Sequence, residues 1–133
     1  MSFGQRNFDI DREKPEIDFP GSEVPTELKI IDEIEGTGSE VARGSHVTTH
    51  YVGVAFSTGE EFDASWNRGQ PLEFTAGIGQ VIQGWDEGLL GMKVGGRRRL
   101  EIPANLAYGE HGAPPAIGPN EALIFVVDLL AVR

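Results

Sequence analysis

From Glu27 onward the apolar positions follow the two-residue rhythm of half-buried strands, broken at intervals by turn formers. Leu28–Ile34 reads as a first strand, closed by Gly36-Thr37-Gly38. His46–Phe56 reads as a longer one, rich in the Val, Thr and Tyr that suit a pleated, half-buried surface. Ser57-Thr58-Gly59-Glu60 then turns the chain into a short strand at Glu61-Phe62-Asp63. Pro71–Thr75 alternates again, and Arg97–Ile102 forms a further strand that Pro103 stops. Ala122–Val132 is dense in aliphatics, the pattern of a central strand covered on both faces.

The helical period occurs best between Gly79 and Gly91. Over Gln80–Leu89, Val81, Ile82, Trp85 and Leu89 fall on one face. Gly84 and Gly88 each weaken that helix by about 1 kcal/mol, so packing has to hold it. Glycines at that spacing also leave a smooth strip for close approach by another element. The assembly expected is an α+β domain, an antiparallel sheet curled around one short helix.

Residues 1–25 follow neither period. They are rich in Asp, Glu and Pro, and Pro15, Pro20 and Pro25 interrupt any long strand. They are expected to be an extension, extended or partly disordered, leaving residues 26–133 as the folded domain.

Composition narrows the function classes. The 133 residues suit one domain, and 39% hydrophobic content supports a core without any run long enough to span a bilayer. The polar start lacks the apolar stretch of a secretory leader. With no cysteine there is no disulfide, thiolate chemistry or cysteine zinc site, and the cytoplasm is the simplest compartment. A net charge of −10 argues against nucleic-acid binding. The basic cluster Arg97-Arg98-Arg99 splits between two faces of its strand, so it makes no continuous phosphate stripe. Arg98 shares a face with Leu100 and Ile102, and the sequence names no partner for it.

Covalent, metal and phosphate chemistry find no anchor. His46 and His50 on a strand stand roughly 13 Å apart, too far for one ion. A Gly-x-Ser-x-Gly elbow and a P-loop are both missing, and Gly36-Thr37-Gly38 and Gly77-Ile78-Gly79 lack a dinucleotide loop's third glycine. No metal or cofactor is expected. What is left is chemistry done by shape, desolvation and a few hydrogen bonds.

Four segments suggest where. They are His50-Tyr51-Val52-Gly53, Phe62-Asp63-Ala64-Ser65, Val81-Ile82-Gln83-Gly84-Trp85 and Ala107-Tyr108-Gly109, followed by the closing strand Leu123-Ile124-Phe125-Val126-Val127. In this order, from about Glu27 to Arg133, the chain resembles the FK506-binding proteins, a family of peptidyl-prolyl cis/trans isomerases. The resemblance implies an antiparallel sheet wrapped around a short helix. It implies that Trp85 is the floor under a proline ring, with Tyr51, Phe62, Phe74 and Phe125 as aromatic walls. Val81 and Ile82 would form the entrance rim, with the Ile82 N–H facing the ligand. Tyr108 would hold a substrate or macrolide carbonyl, and Asp63 would line the pocket with Arg68 beside it. Ile117 would form an apolar tip of the overhanging loop. Leu72 stands where the family often has an aromatic, Gln80 where Glu is common, and Ala113 and Ala116 make the loop tip smaller.

The activity implied is rotation of Xaa-Pro bonds in proline-containing polypeptides during folding, inhibited by FK506- or rapamycin-type macrolides. The chain is expected to act as a monomer, without nucleic acid or membrane. The alternatives are a proline-peptide-binding module without turnover, or a general folding helper. The short segment between Tyr108 and Leu123 lacks the inserted domain that the helper would need. Within the extension, Phe19-Pro20 is itself an apolar-proline dipeptide of the type such a pocket accepts.

Overall fold

The most apolar run of the chain becomes the middle of the sheet. Leu123–Val132 (β6) is buried along its first eight residues and pairs on one side with Arg97–Ile102 (β5) and on the other with His46–Ala55 (β2). A strand with both edges paired and both faces covered is expected to be almost wholly apolar, and β6 is, apart from Asp128. The computed structural model describes residues 12–17 and 23–133. The Phe19-Pro20 dipeptide lies outside the described residues.

Among the described residues six antiparallel strands form one sheet, five of them in the order β1-β5-β6-β2-β3, where β1 is Lys29–Ile34 and β3 is Glu61–Ala64. The remaining strand, Leu72–Thr75 (β4), pairs with the first half of β2. β1 is an edge strand, exposed along its whole length. Strand bounds follow the period-two reading to within a residue or two, because alternation, turn residues and Pro103 all act locally.

The helices differ from the reading. The helix α2 is only Gln83–Gly88, so Val81 and Ile82 precede it instead of sharing its face. Ile82 is extended, with φ −59° and ψ 152°. Side chains hold the link in this shape. The Asp86 carboxylate accepts the N–H groups of Gly77 (2.9 Å) and Gly79 (2.8 Å), and Gln80 Oε1 accepts that of Thr75 at 2.8 Å. These bonds fold residues 76–80 into a turn before the helix begins. A second, four-residue helix, Ser65–Arg68 (α1), follows β3 without a helical period in its sequence; it ends at Gly69, whose N–H donates to Trp66 O. A 3₁₀ turn, Ala104–Leu106, follows β5.

α2 lies against the concave face of the sheet. A β-carbon on Gly84 would stand 2.6 Å from Ile102 Cγ2, and one on Gly88 would stand 2.8 Å from Leu100 Cδ2. The glycine strip is therefore what lets the helix settle onto β5, and Trp85, Leu89, Leu100, Ile102 and Val127 form the main core beside it. Arg98 finds its partners at the same junction. Its guanidinium grips both carboxylate oxygens of Asp32 on β1 (2.7 and 3.2 Å) and donates to the carbonyls of Gly88 (2.9 Å) and Leu90 (3.0 Å) at the end of α2. A cation on the free carbonyls of a helix end is favourable on both hydrogen-bonding and dipole grounds.

The opposite face carries a smaller cluster of Val54, Phe56, Ala122 and Ile124, against which Ile17 packs. Residues 12–17 cross this face without regular structure. Arg12 binds the fully buried carboxylate of Asp128 at 2.9 Å and the Gly95 carbonyl at 2.6 Å. Arg97 holds the same carboxylate at 2.9 and 3.1 Å. Lys14 reaches Glu61 (2.8 Å) and Asn67 (2.9 Å). No helix among the described residues is long and apolar enough to cross a membrane.

Candidate functional site

At the concave face the rings of the core come up to the surface around a cavity of about 260 Å³. Tyr51 comes from β2, Phe62 and Asp63 from β3, Leu72 from β4, Trp85 from α2 and Phe125 from β6. Gln80, Val81 and Ile82 supply one rim from the link before α2, and Tyr108 another, just after the 3₁₀ turn.

Strand alternation explains the aromatic side. Tyr51 and Phe125 both point inward, and Trp85 rises beneath them from the buried face of α2. Trp85 meets Tyr51 and Phe125 edge to face, each at 5.2 Å between ring centres. Phe62 meets Phe125 at 5.5 Å and 89°. Edge-to-face contacts of this kind are an arrangement that aromatic pairs prefer. Trp85 is 3% exposed, and its indole N–H has no acceptor among the described residues.

The polar wall is a three-member cluster. The Tyr51 hydroxyl donates to Asp63 Oδ2. Arg68, at the end of α1, donates to Asp63 Oδ1 at 2.6 Å and to the Tyr51 oxygen at 2.9 Å. Its guanidinium also stands 5.7 Å from the Tyr51 ring centre. Burial, reinforced by the bond to Asp63, pushes the Tyr51 phenol up from its ordinary value of 10.0. The Tyr108 phenol is also pushed up, first by burial and then by the negative charge of Asp63. Both hydroxyls therefore keep their protons at neutral pH.

Behind this wall Ser65 ties β2 to α1. The Tyr51 N–H donates to Ser65 Oγ at 2.7 Å, and that hydroxyl lies 2.7 Å from His50 Nδ1. The His50 ring stacks on Trp66 with centres 4.2 Å apart. Burial lowers the His50 pKa from 6.5; Asp128 opposes the shift and Arg68 adds to it. His46, the other strand histidine, pairs with Glu73 at 3.0 Å.

Tyr51, Phe62, Asp63, Leu72, Val81, Ile82, Trp85, Tyr108 and Phe125 thus come together around one cavity. Arg68 stands behind the wall that it braces. Phe74, 5% exposed, packs against Trp85 at 5.6 Å and belongs to the core. Ile117 is 4% exposed; its backbone exchanges hydrogen bonds with Ala113, and its side chain packs in the main core instead of lining the cavity. Gln80 lines the cavity although the sequence reading marked it only as a substitution. Its place directly before Val81 was the available signal. The Ile82 carbonyl accepts the N–H groups of Trp85 (2.9 Å) and Asp86 (3.1 Å), while the Ile82 N–H has no acceptor among the described residues.

Tyr108 is 42% exposed. It is held at the mouth by its neighbours: Gly109 N–H donates to Ala104 O (2.9 Å), Asn120 N–H to Gly109 O (2.9 Å) and Gly112 N–H to Tyr108 O (3.2 Å). The geometry suits an uncharged five-membered ring set against indole, with the Tyr108 hydroxyl as a donor for an adjacent carbonyl, since that of Tyr51 is given to Asp63.

Comparison with known proteins agrees with this geometry. The family model described as FKBP-type peptidyl-prolyl cis-trans isomerase matches residues 38–130. An FK506-binding protein of Streptomyces anulatus is 65% identical over 121 residues, covering 90% of this chain and 98% of its own. A probable FK506-binding protein of Corynebacterium glutamicum is 48% identical over 119 residues, with 90% and 98% coverage. The crystal structure of AtFKBP13 matches with a TM-score of 0.75 at 38% identity, over 84% of this chain and 98% of that one. Crossed aromatic rings, the tyrosine–aspartate–arginine cluster and these matches lead to one conclusion: the chain belongs to the FKBP-type peptidyl-prolyl cis-trans isomerases.

Proposed function

We propose that the cavity above Trp85 accelerates rotation of Xaa-Pro bonds in polypeptide substrates by desolvating the imide and favouring its twisted form. The observation that carries this reading is the 260 Å³ cavity itself, floored by a buried indole and walled by crossed rings, with Tyr51, Asp63 and Tyr108 as its polar lining.

Amide resonance sets a barrier of about 18–20 kcal/mol to rotation. No bond to a neighbouring atom breaks, so the enzyme has only to bind the twisted imide better than either planar form. The twisted imide has lost conjugation, its carbonyl carries less charge, and removing it from water costs less. The aromatic walls supply that dry setting. Tyr108 O–H and Ile82 N–H are the donors suited to hold the flanking carbonyls. Asp63, fixed by Tyr51 and Arg68, presents a carboxylate toward the turning imide. Lowering the barrier by about 6 kcal/mol gives roughly 10⁴-fold acceleration, within reach of desolvation plus one or two oriented hydrogen bonds.

The same cavity is suited to FK506- and rapamycin-type macrolides, as the names of the relatives suggest, and substrates with an apolar residue before proline fit the apolar rim. A protease-coupled assay on Xaa-Pro peptides tests the reading. Trp85→Ala combined with Tyr108→Phe is expected to lower kcat/KM by at least about 100-fold, and FK506 to inhibit the parent chain. Full activity in the double variant refutes the site.

A further inference from the structure

We propose that Gly53 is a positioning residue that sets the width of the proline pocket. The inference rests on the function proposed above and adds a residue that does not itself line the cavity.

Gly53 sits in the interior of β2, between Val52 and Val54, opposite Phe125 on β6 and Asp63 on β3. Glycine weakens a strand interior, so its presence there calls for a reason. Backbone conformation does not supply it, because Gly53 is not among the positive-φ glycines. Space does. A β-carbon at Gly53 would lie 2.6 Å from Phe62 Cζ and 2.7 Å from Phe125 Cε1, well inside van der Waals contact.

Those two rings are pocket walls, and they meet each other edge to face over the missing side chain. A methyl group at position 53 would have to displace them. Phe125 is 4% exposed and confined by the core, with Trp85 at 5.2 Å and Tyr51 at 6.2 Å. Phe125 is left with the cavity as its free direction, while Phe62 borders both the cavity and a second hollow beside Ala55 and Glu61. The absent β-carbon therefore holds the pocket open: the rings withdraw into the place where a side chain would be. Gly84 and Gly88 are equally tight, but they face Ile102 and Leu100, two side chains of the core.

The test is Gly53→Ala, with Gly38→Ala as a control for tight packing, since a β-carbon there would meet Val94 Cβ at 2.7 Å, away from the cavity. In Gly53→Ala, KM for a proline tetrapeptide is expected to rise about tenfold with kcat within about twofold, and nuclear Overhauser effects should join the new methyl to both rings. Gly38→Ala should lower thermal stability without moving KM. An unchanged KM in folded Gly53→Ala overturns the proposal. An inactive parent chain overturns the proposed function instead.

Phe62→Leu gives a second measurement. Placed in that background, Gly53→Ala is expected to raise KM by less than about threefold, because one of the two clashes is gone. An equal rise in both backgrounds overturns the proposal. If Gly53→Ala alone does not fold, a folded double variant supports the ring clash, and failure of both to fold overturns it.

Discussion

Tyr51 does more than present a ring to the cavity. Its hydroxyl is the hinge of the polar wall, donating to Asp63 and accepting from Arg68. Asp63 and Arg68 are themselves 41% and 49% exposed, and an ion pair that open contributes little alone. Tyr51→Phe keeps the ring and removes the hydroxyl. It is expected to cost about 1–2 kcal/mol in urea unfolding, the worth of one hydrogen bond to a charged group, and to lower kcat/KM by about tenfold because Asp63 loses a group that orients it. His50 makes a separate prediction. Burial lowers its pKa in the folded chain, so the unfolded chain takes up this proton first as the pH falls. This contribution to stability is complete well above pH 6.5 and is lost as the pH drops through 6.5 toward the folded-state value. Urea unfolding should show lower stability at about pH 5.5 than at pH 7.5, and His50→Gln should flatten that slope.

Strands were legible from the sequence because what makes them is local. Alternation, Gly-rich turns and Pro103 fixed the six strands, and the aliphatic density of Leu123–Val132 told its central place. The helices were less legible. Apolar spacing placed Val81 and Ile82 on a helix, but the Asp86 carboxylate, bonding back to Gly77 and Gly79, draws the preceding chain into a turn. That is a tertiary choice which period alone does not encode. Arg98 is the same lesson in reverse: alternation puts it on the core face, and only the position of α2 reveals why a cation belongs there. Its side chain is 9% exposed and serves β1 and α2 together. Arg98→Ala should destabilise the fold by about 2–4 kcal/mol, because Asp32 and two carbonyls lose their partner. Equilibrium urea unfolding measures this.

In the molecule as a whole, the two faces of the sheet have different tasks. The concave face holds α2 and the cavity; the other face holds Asp128, the two arginines that neutralise it, and the crossing of residues 12–17. The site was legible wherever an aromatic or charged residue stood in a recognisable order. It was not legible where burial decided, as with Ile117 and Phe74, whose side chains the core takes. Arg12 tests the division of labour. Arg12→Ala leaves Asp128 with Arg97 alone and is expected to cost about 1–3 kcal/mol in urea unfolding. Peptide turnover should be unaffected, since the bond lies across the sheet from the cavity.

The strand order carries a consequence for synthesis. β2 emerges from the ribosome early, yet the neighbour along its full length is β6, the last of the six to be made. Phe125, a wall of the cavity, arrives on that same late strand. Contacts so distant in the chain must await loop closure and form slowly. A nascent copy therefore lacks one wall of the cavity until β6 has been made, and can close its pocket only after it has completed its own sheet.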